Sequence, residues 1–261
     1  MQFSEIMTSL KRTPEGWLAS IPEDWLQGRS AFGGLQIALV ARAMRELLPG
    51  VPLRSLQATF MSPVSAGPMQ IHANILRSGK SATHVEARIV DGQQTLCIVI
   101  AIYGASRASQ VERVPQQPAV ECVKPLVFPY IEGVMPAFTQ HFDISWLRGG
   151  FPYSGATQVE NVLTLGFRNE PGPADETHVL ALADVIPPIG LSLLKKPTTG
   201  SSMTWTFEFL TDQFPDLPLQ GWRMDAEMIA AKDGYTSQGG VLWGPGGRAV
   251  ALSRQNMVIF G

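Results

Sequence analysis

An internal repeat restricts the possible folds of this chain more than any other feature. Residues 53–63 (LRSLQATFMSP) align with residues 202–212 (SMTWTFEFLTD), which places Phe60 on Phe209, 149 positions further along. Later the separation grows to 155, where Gly79 aligns with Gly234 and Gly92 with Gly247. About six extra residues around 214–219 account for the step. Self-similarity on this scale is typical of a duplicated structural unit.

The first copy has the pattern of one helix followed by four strands. Residues 33–48 carry apolar side chains at helical spacing and end at Pro49-Gly50, which predicts a largely buried helix. Residues 56–61, 69–77, 82–90 and 95–103 have the pattern of strands. Asp91-Gly92 predicts a hairpin turn between the last two.

The second copy repeats this plan. Residues 176–186 predict a short helix ended by Pro187-Pro188. Strands follow at 203–210, 222–231, 235–243 and 248–259, and in the first of them Met203, Trp205, Phe207 and Phe209 are predicted to share one face. One helix wrapped by an antiparallel sheet, made twice, is an α+β fold.

The repeat suggests a division of the chain into three parts. We predict a first repeat at 1–105, a linker at 106–140 and a second repeat at 141–261. The linker contains five prolines, which favour an extended segment that crosses from one repeat to the other. We expect the candidate active site in the second repeat.

Composition excludes several functional classes. A net charge of −2 with no basic run argues against a nucleic-acid partner. No apolar run is long enough to cross a membrane, and the N-terminus does not resemble a signal peptide, so we expect a cytoplasmic protein. Only 16% of residues are charged, which favours a homodimer or larger homo-oligomer. We expect no disulfide between Cys97 and Cys122.

Three polar residues of the second copy occupy unusual positions. Asp184 is the only charge in residues 179–186 and lies near a helix C-terminus, where the helix dipole disfavours an anion. Gln255 lies on a strand face among mainly apolar neighbours and must find hydrogen-bond partners there. Ser202 follows Gly200 and Ser201. Each also has an ordinary interpretation: a solvent-facing helix end, an amide that satisfies a neighbouring backbone group, and a loop serine.

Comparison of the two copies favours a functional role. At the offsets above, Ser202 aligns with Leu53 and Gln255 aligns with Ile100. Polar residues of the second copy therefore replace apolar residues of the first. Because buried polar groups cost free energy, the copy that keeps them is the better candidate for the working site.

The order of motifs along the chain resembles the acyl-CoA thioesterase II family. In the first half the similar segments are Gly33-Gly34, residues 54–63 and residues 77–92; in the second they are residues 181–184, 202–209 and 253–255. The resemblance implies a double-hotdog fold and hydrolysis of a fatty acyl-CoA. It also implies that a carboxylate, a hydroxyl and a glutamine hold the attacking water, at Asp184, Ser202 and Gln255.

Two positions depart from the family pattern. The family commonly has threonine at the position of Ser202, and serine keeps the hydroxyl. An Asp-His pair found in some members is replaced by Thr204 and Trp205. The hydrolytic chemistry is compatible with both changes, whereas the acyl group that the protein accepts is left open.

The mechanistic hypothesis assigns a role to each residue. Asp184 accepts a proton from the water that attacks the thioester carbonyl, and backbone N–H groups stabilise the oxyanion. Gly33 and Gly34 open the first helix and are candidate substrate-binding residues, because glycine permits close approach of a ligand to the backbone. Packing of the helix on its neighbours is the equal alternative for this pair.

Several motifs are missing from the sequence. There is no G-x-S-x-G nucleophile motif, no nucleotide-binding glycine loop and no metal spacing among the four histidines. We therefore expect no cofactor and no metal. His178 lies in the first turn of the predicted helix and is interpreted as a surface residue, with a position near the site as the alternative.

Two other functions remain open. A non-catalytic acyl-CoA- or lipid-binding double-hotdog protein would keep the fold without the chemistry. An acyl-CoA hydratase or dehydratase would need an Asp and His pair, and no histidine lies close after a helix-opening Asp.

Overall fold

A computed structural model describes residues 1–121, 124–127, 129–214 and 216–260. The helices are α1 (Phe3–Ser9), α2 (Gly33–Leu47), α3 (Glu176–Ala183) and α4 (Ile189–Ser192). The strands of the first half are β1 (Lys11–Thr13), β2 (Gly16–Ile21), β3 (Leu26–Gln27), β4 (Ser30–Ala31), β5 (Leu53–Phe60), β6 (Gly67–Ser78), β7 (Thr83–Asp91) and β8 (Gln94–Tyr103). The later strands are β9 (Leu126–Val127), β10 (Phe142–Arg148), β11 (Glu160–Phe167), β12 (Thr199–Phe209), β13 (Trp222–Lys232), β14 (Tyr235–Gly244) and β15 (Arg248–Phe260).

Thirteen of these strands form one antiparallel sheet that runs through both halves. Its order is β1-β2-β6-β7-β8-β5-β12-β15-β14-β13-β11-β10-β9. The equivalent strands β5 and β12 pair at the centre, where Leu56 lies opposite Phe207. The two copies are therefore joined edge to edge, and the predicted α+β repeat is confirmed. The division at 105 and 140 stays a prediction.

Bulges at matching positions align the two copies. The β5–β8 register shifts between Leu53 and Ser55, and the β12–β15 register shifts between Ser202 and Thr204. The matching bulges make Leu53 the equivalent of Ser202, as the sequence predicts.

The predicted equivalence of Gln255 and Ile100 is wrong by one residue. Leu56, the equivalent of Trp205, lies opposite Ala101, and Trp205 lies opposite Gln255. Ala101 is therefore the equivalent of Gln255. The error arose because the hairpin between Asp91 and Gln94 is one residue shorter than the turn between Gly244 and Arg248, so alignment of turn glycines shifts the strand.

Helices α2 and α3 pack antiparallel to each other. The first turn of α2 contacts the end of α3, where a Cβ atom on Gly34 would lie 3.0 Å from the Cα of Ala181. At the other end, the Arg45 guanidinium forms a two-pronged ion pair with Glu176, with one N–O distance of 2.8 Å. This pairing holds the start of each helix against the end of the other.

The helix of the second copy is interrupted, whereas α2 is continuous. The prediction extended it to residue 186, but α3 ends at Ala183 and the backbone N–H groups of Asp184 and Val185 bond to Ala181 and Leu182. Pro187 and Pro188 have no N–H and prevent a regular continuation. The chain re-enters a helix only at Ile189, so Asp184 lies at the break.

Tertiary contacts bury His178, and its interpretation as a surface residue is wrong. The residue is 7% exposed, and its ring lies beside Phe3 of α1, with ring centres 4.9 Å apart. Its Nδ1 lies 2.9 Å from a carboxylate oxygen of Asp175. His178 lies in the first turn of α3, at the opposite end from Asp184. Because Asp175 is the N-cap of this helix, the expectation that no histidine lies close after a helix-opening Asp is wrong.

The linker region contributes to the sheet. It contains β9, which pairs with β10 at the sheet edge, and the start of a short 3₁₀ helix at Ala137–His141. Cys97 is buried as a free thiol, and burial raises its pKa to about 12. Cys122, to which the disulfide prediction also refers, lies outside the described residues. Within the described ranges, no helix has the length and apolar character needed to cross a membrane.

Candidate active site

The carboxyl group of Asp184 lies between the two copies. Asp184 is the C-terminal cap of α3, and its Oδ1 accepts a hydrogen bond of 2.5 Å from the side-chain amide of Gln255. The backbone N–H of Gly34 also hydrogen-bonds to this carboxyl. Although its own helix end disfavours an anion, Asp184 faces the positive end of α2, which favours one. The contact with α2 removes the conflict that the sequence alone suggested.

The surroundings of Asp184 shift its protonation into the neutral range. Burial raises its pKa to about 7, although the hydrogen bonds from Gln255 and Gly34 lower it. The residue nevertheless remains partly accessible to solvent. A carboxyl group that titrates near neutral pH is suited to general-base chemistry.

Gly33 leaves the space that this carboxyl group occupies. A Cβ atom at Gly33 would lie 2.8 Å from Oδ2 of Asp184 and 3.6 Å from the ring of Phe60. Gly34 is equally confined, because its Cβ would lie 2.6 Å from the Phe32 ring. Both glycines therefore permit close packing of α2 on α3 and on Asp184, which was one of the two interpretations of this pair.

Gln255 lies in a row of buried side chains on the inner face of the sheet. It is 4% exposed, and it lies opposite Trp205 of β12 on one side and Gln238 of β14 on the other. Gln238 is also 4% exposed, and its side-chain oxygen accepts a hydrogen bond of 3.0 Å from the N–H of Ile189. Gln238 was not predicted from the sequence.

Ser202 reaches the same face of the sheet because of the bulge in β12. It lies opposite Met257, which is buried on the inner face, whereas Met203 is the unpaired bulge residue. Trp205, Phe207 and Phe209 are buried as predicted, and Met203 lies in the bulge. No hydrogen bond joins the Ser202 hydroxyl to Asp184 or Gln255 in the described parts of the chain.

Four positions of this face are polar in the second copy and apolar in the first. Besides Leu53 and Ala101, two further apolar residues of the first copy have polar equivalents. Ile75 and Met228 precede matching bulges and lie opposite Val85 and Gln238. The four pairs, with the first copy given first, are Leu53 and Ser202, Val85 and Gln238, Val99 and Ser253, and Ala101 and Gln255. A comparison of the copies at Val85 would have found Gln238.

Family models match most of the chain. Residues 21–104 match the acyl-CoA thioesterase N-terminal domain, and residues 110–259 match the acyl-CoA thioesterase C-terminal domain. No curated protein matches the sequence.

Solved structures with the same fold cover nearly the whole chain. A conserved protein of unknown function with a hotdog fold from Alicyclobacillus acidocaldarius is 20% identical, with a TM-score of 0.87 over 99% of this chain and 98% of that one. A tesB protein from Mycobacterium avium subsp. paratuberculosis is 13% identical, with a TM-score of 0.79 over 100% of both chains. Acyl-CoA thioesterase II TesB2 from Mycobacterium marinum is 15% identical, with a TM-score of 0.73 over 99% of this chain and 98% of that one. The chain therefore belongs to the acyl-CoA thioesterase family and has its double-hotdog fold.

Proposed function

We propose that the protein hydrolyses an acyl-CoA thioester with a water molecule held by Asp184, Ser202 and Gln255. The observation that carries the proposal is the Asp184 carboxyl group, which is desolvated, hydrogen-bonded to Gln255 and adjacent to the first turn of α2. The polar inner face of the second copy supports the same location.

Each group has a defined part in the reaction. Asp184 takes a proton from water as the water oxygen forms a bond to the thioester carbonyl carbon. Gln255 orients Asp184, and the Ser202 hydroxyl is a third contact for the water. The backbone N–H of Gly33, at the start of α2, stabilises the negative charge on the carbonyl oxygen, while the N–H of Gly34 stays bonded to Asp184. When the carbon–sulfur bond breaks, the thiolate receives the proton and leaves as CoA.

A hydrolysis screen tests the proposed reaction. Short, medium, long and aromatic acyl-CoAs are supplied separately, and free thiol is measured with time. We expect release of CoA from at least one class. Tight binding of acyl-CoA with no thiol release in any class would support a non-catalytic binding protein instead, and loss of the conjugated double bond of an enoyl-CoA would support a hydratase.

Removal of the Gln255 amide should change both rate and pH dependence. Hydrolysis by the unmodified protein is expected to rise with pH through about 7, because Asp184 must be ionised to accept a proton. In Gln255→Met the hydrogen bond that lowers the pKa of Asp184 is lost, so this rise moves to higher pH and kcat falls by about 10²-fold. A pH profile of kcat measures both effects, and a profile that stays in place would contradict the assignment.

Two neighbouring serines provide a matched test of Ser202. Ser202→Ala is expected to lower kcat by roughly tenfold, since one hydrogen bond to the attacking water is lost. Ser201 is exposed and its hydroxyl donates to the Ser202 carbonyl, so Ser201→Ala should retain full activity. Equal rates for the two variants would remove Ser202 from the proposed site.

Further properties belong to the same proposal. We expect a cytoplasmic enzyme of fatty acid metabolism that forms a homodimer or larger homo-oligomer. The exposed edge strands β1 and β9 support assembly, because unpaired strand edges readily pair with another chain. Light scattering on the purified protein gives the assembly state directly, and a monomer would contradict this expectation.

A further inference from the structure

We propose that Gln238 is a positioning residue that holds the segment carrying Asp184 against the sheet. This inference rests on the proposed function, since the effect on rate is transmitted through Asp184. No hydrogen bond joins Gln238 to Asp184 among the described residues; Gln238 acts on the far end of the segment from residue 184 to residue 189.

The hydrogen bond from Ile189 to Gln238 is the anchor. Pro187 and Pro188 have no N–H, so Ile189 supplies the first backbone donor after the break in the helix. As a residue of the first turn of α4, it has no acceptor within its own helix. Ile189 is fully buried, and Gln238 accepts its N–H at 3.0 Å. The bond therefore satisfies a buried donor that has no regular partner.

The two ends of the segment are held by neighbouring amides. Gln238 and Gln255 lie directly opposite each other on β14 and β15, with both side chains on the inner face. Gln255 donates to Asp184 at one end, and Gln238 accepts from Ile189 at the other. Because the prolines stiffen the chain between them, a shift at Ile189 is transmitted to the Asp184 carboxyl group.

The first copy shows that this fold does not require the amide pair. Val85 and Ala101 take the equivalent positions there, below the continuous helix α2. The sheet has the same pairing and the same bulges with these apolar residues. The two glutamines therefore accompany the broken helix and its carboxylate, which favours a role in the site over a role in the sheet.

Gln238→Met tests the inference with a side chain of similar length that cannot accept a hydrogen bond. We expect kcat to fall by about tenfold with KM changed less than about twofold, because displacement of a catalytic group affects the chemical step. Hydrogen exchange at the Ile189 amide should become faster. Gln238→Val, which carries the residue of the first copy, replaces this variant if Gln238→Met does not fold.

Ser192→Ala is the matched control for general loosening of α4. The Ser192 hydroxyl is buried and donates to the Ile189 carbonyl at 2.7 Å, so its removal weakens the same helix but leaves the bond to Gln238. We expect a lower melting temperature with kcat within about twofold of the unmodified protein. A fall in kcat as large as that of Gln238→Met would overturn the positioning role.

A double substitution separates this inference from the proposed function. If both amides act on one carboxyl group, Gln238→Met should cost little further activity once Gln255→Met is present. An equal loss in both backgrounds would show a merely structural role and overturn the inference. Full hydrolysis by Asp184→Asn would instead refute the proposed function, while the exchange rate at Ile189 would still report on the anchor.

Discussion

Asp184→Asn is expected to lower kcat/KM for acyl-CoA hydrolysis by about 10³-fold while the protein stays folded. Asparagine has nearly the same shape and keeps an oxygen that can accept from Gln255, but it cannot take a proton from water. Steady-state rates with the best substrate from the screen measure the loss. The rise of activity through about pH 7 should disappear from whatever rate remains.

The same substitution should stabilise the protein at alkaline pH. The pKa of Asp184 is raised from 3.8 to about 7 in the folded state, so its contribution to stability is fully present below about pH 4 and is lost as pH rises through 7. Asparagine does not ionise and avoids this loss. We expect Asp184→Asn to unfold at about the same temperature as the unmodified protein at pH 4 and several degrees higher at pH 8.

An exposed aspartate serves as the control for both effects. Asp143 lies at the surface in an ion pair with Arg168, and its side chain is 52% exposed. Asp143→Asn should leave the rate unchanged and should show no gain in melting temperature between pH 4 and pH 8. If Asp184→Asn behaved like Asp143→Asn in the rate assay, Asp184 would not be the general base.

Gly33→Ala is expected to reduce kcat by about 10²-fold with almost no loss of stability. The added methyl group would lie 2.8 Å from Oδ2 of Asp184, and the end of this side chain can move aside. Alanine also has a higher helix propensity than glycine. The predicted change is therefore a displaced carboxyl group within an intact fold, measured as a rate loss without a fall in melting temperature.

Gly34→Ala, in contrast, should reduce the stability of the protein more than it reduces kcat. Its methyl group would lie 2.6 Å from the Phe32 ring and 3.0 Å from the Ala181 backbone, so α2 and α3 must separate. We expect a loss of about 1–3 kcal/mol in the free energy of unfolding, measured by denaturant titration. If Gly33→Ala were destabilising and fully active, the proposed contact between α2 and the reacting carboxyl group would be wrong.

Local sequence patterns were sufficient to predict most of the helices and strands that form the core. The α2 helix ends within one residue of its prediction, because its apolar stripe and the stop at Pro49-Gly50 act along the chain itself. The strands β5 to β8 and β12 to β15 were predicted to within a few residues for the same reason. Strands β1, β2, β10 and β11 were missed; they extend the sheet beyond β6 and β13, with which β2 and β11 pair.

The candidate site was predicted in part. The two copies differ in polarity at Ser202 and Gln255, and this difference is visible without coordinates. Gln238 was missed because loops of unequal length obscure the alignment of β7 with β14. His178 was misinterpreted because the residue that buries it, Phe3, lies 175 positions away in the chain.

The sequence by itself determined that the chain is a duplicated α+β unit and that its polar copy is the second one. Both properties are recorded in the order of side chains along the chain. Only the tertiary structure decided which groups meet at Asp184. The bulge at Met203 turns Ser202 to the inner face, and the break at Pro187-Pro188 leaves Asp184 at a helix end. Antiparallel packing then brings the first turn of α2 to that carboxyl group, because Gly33 and Gly34 leave room for it.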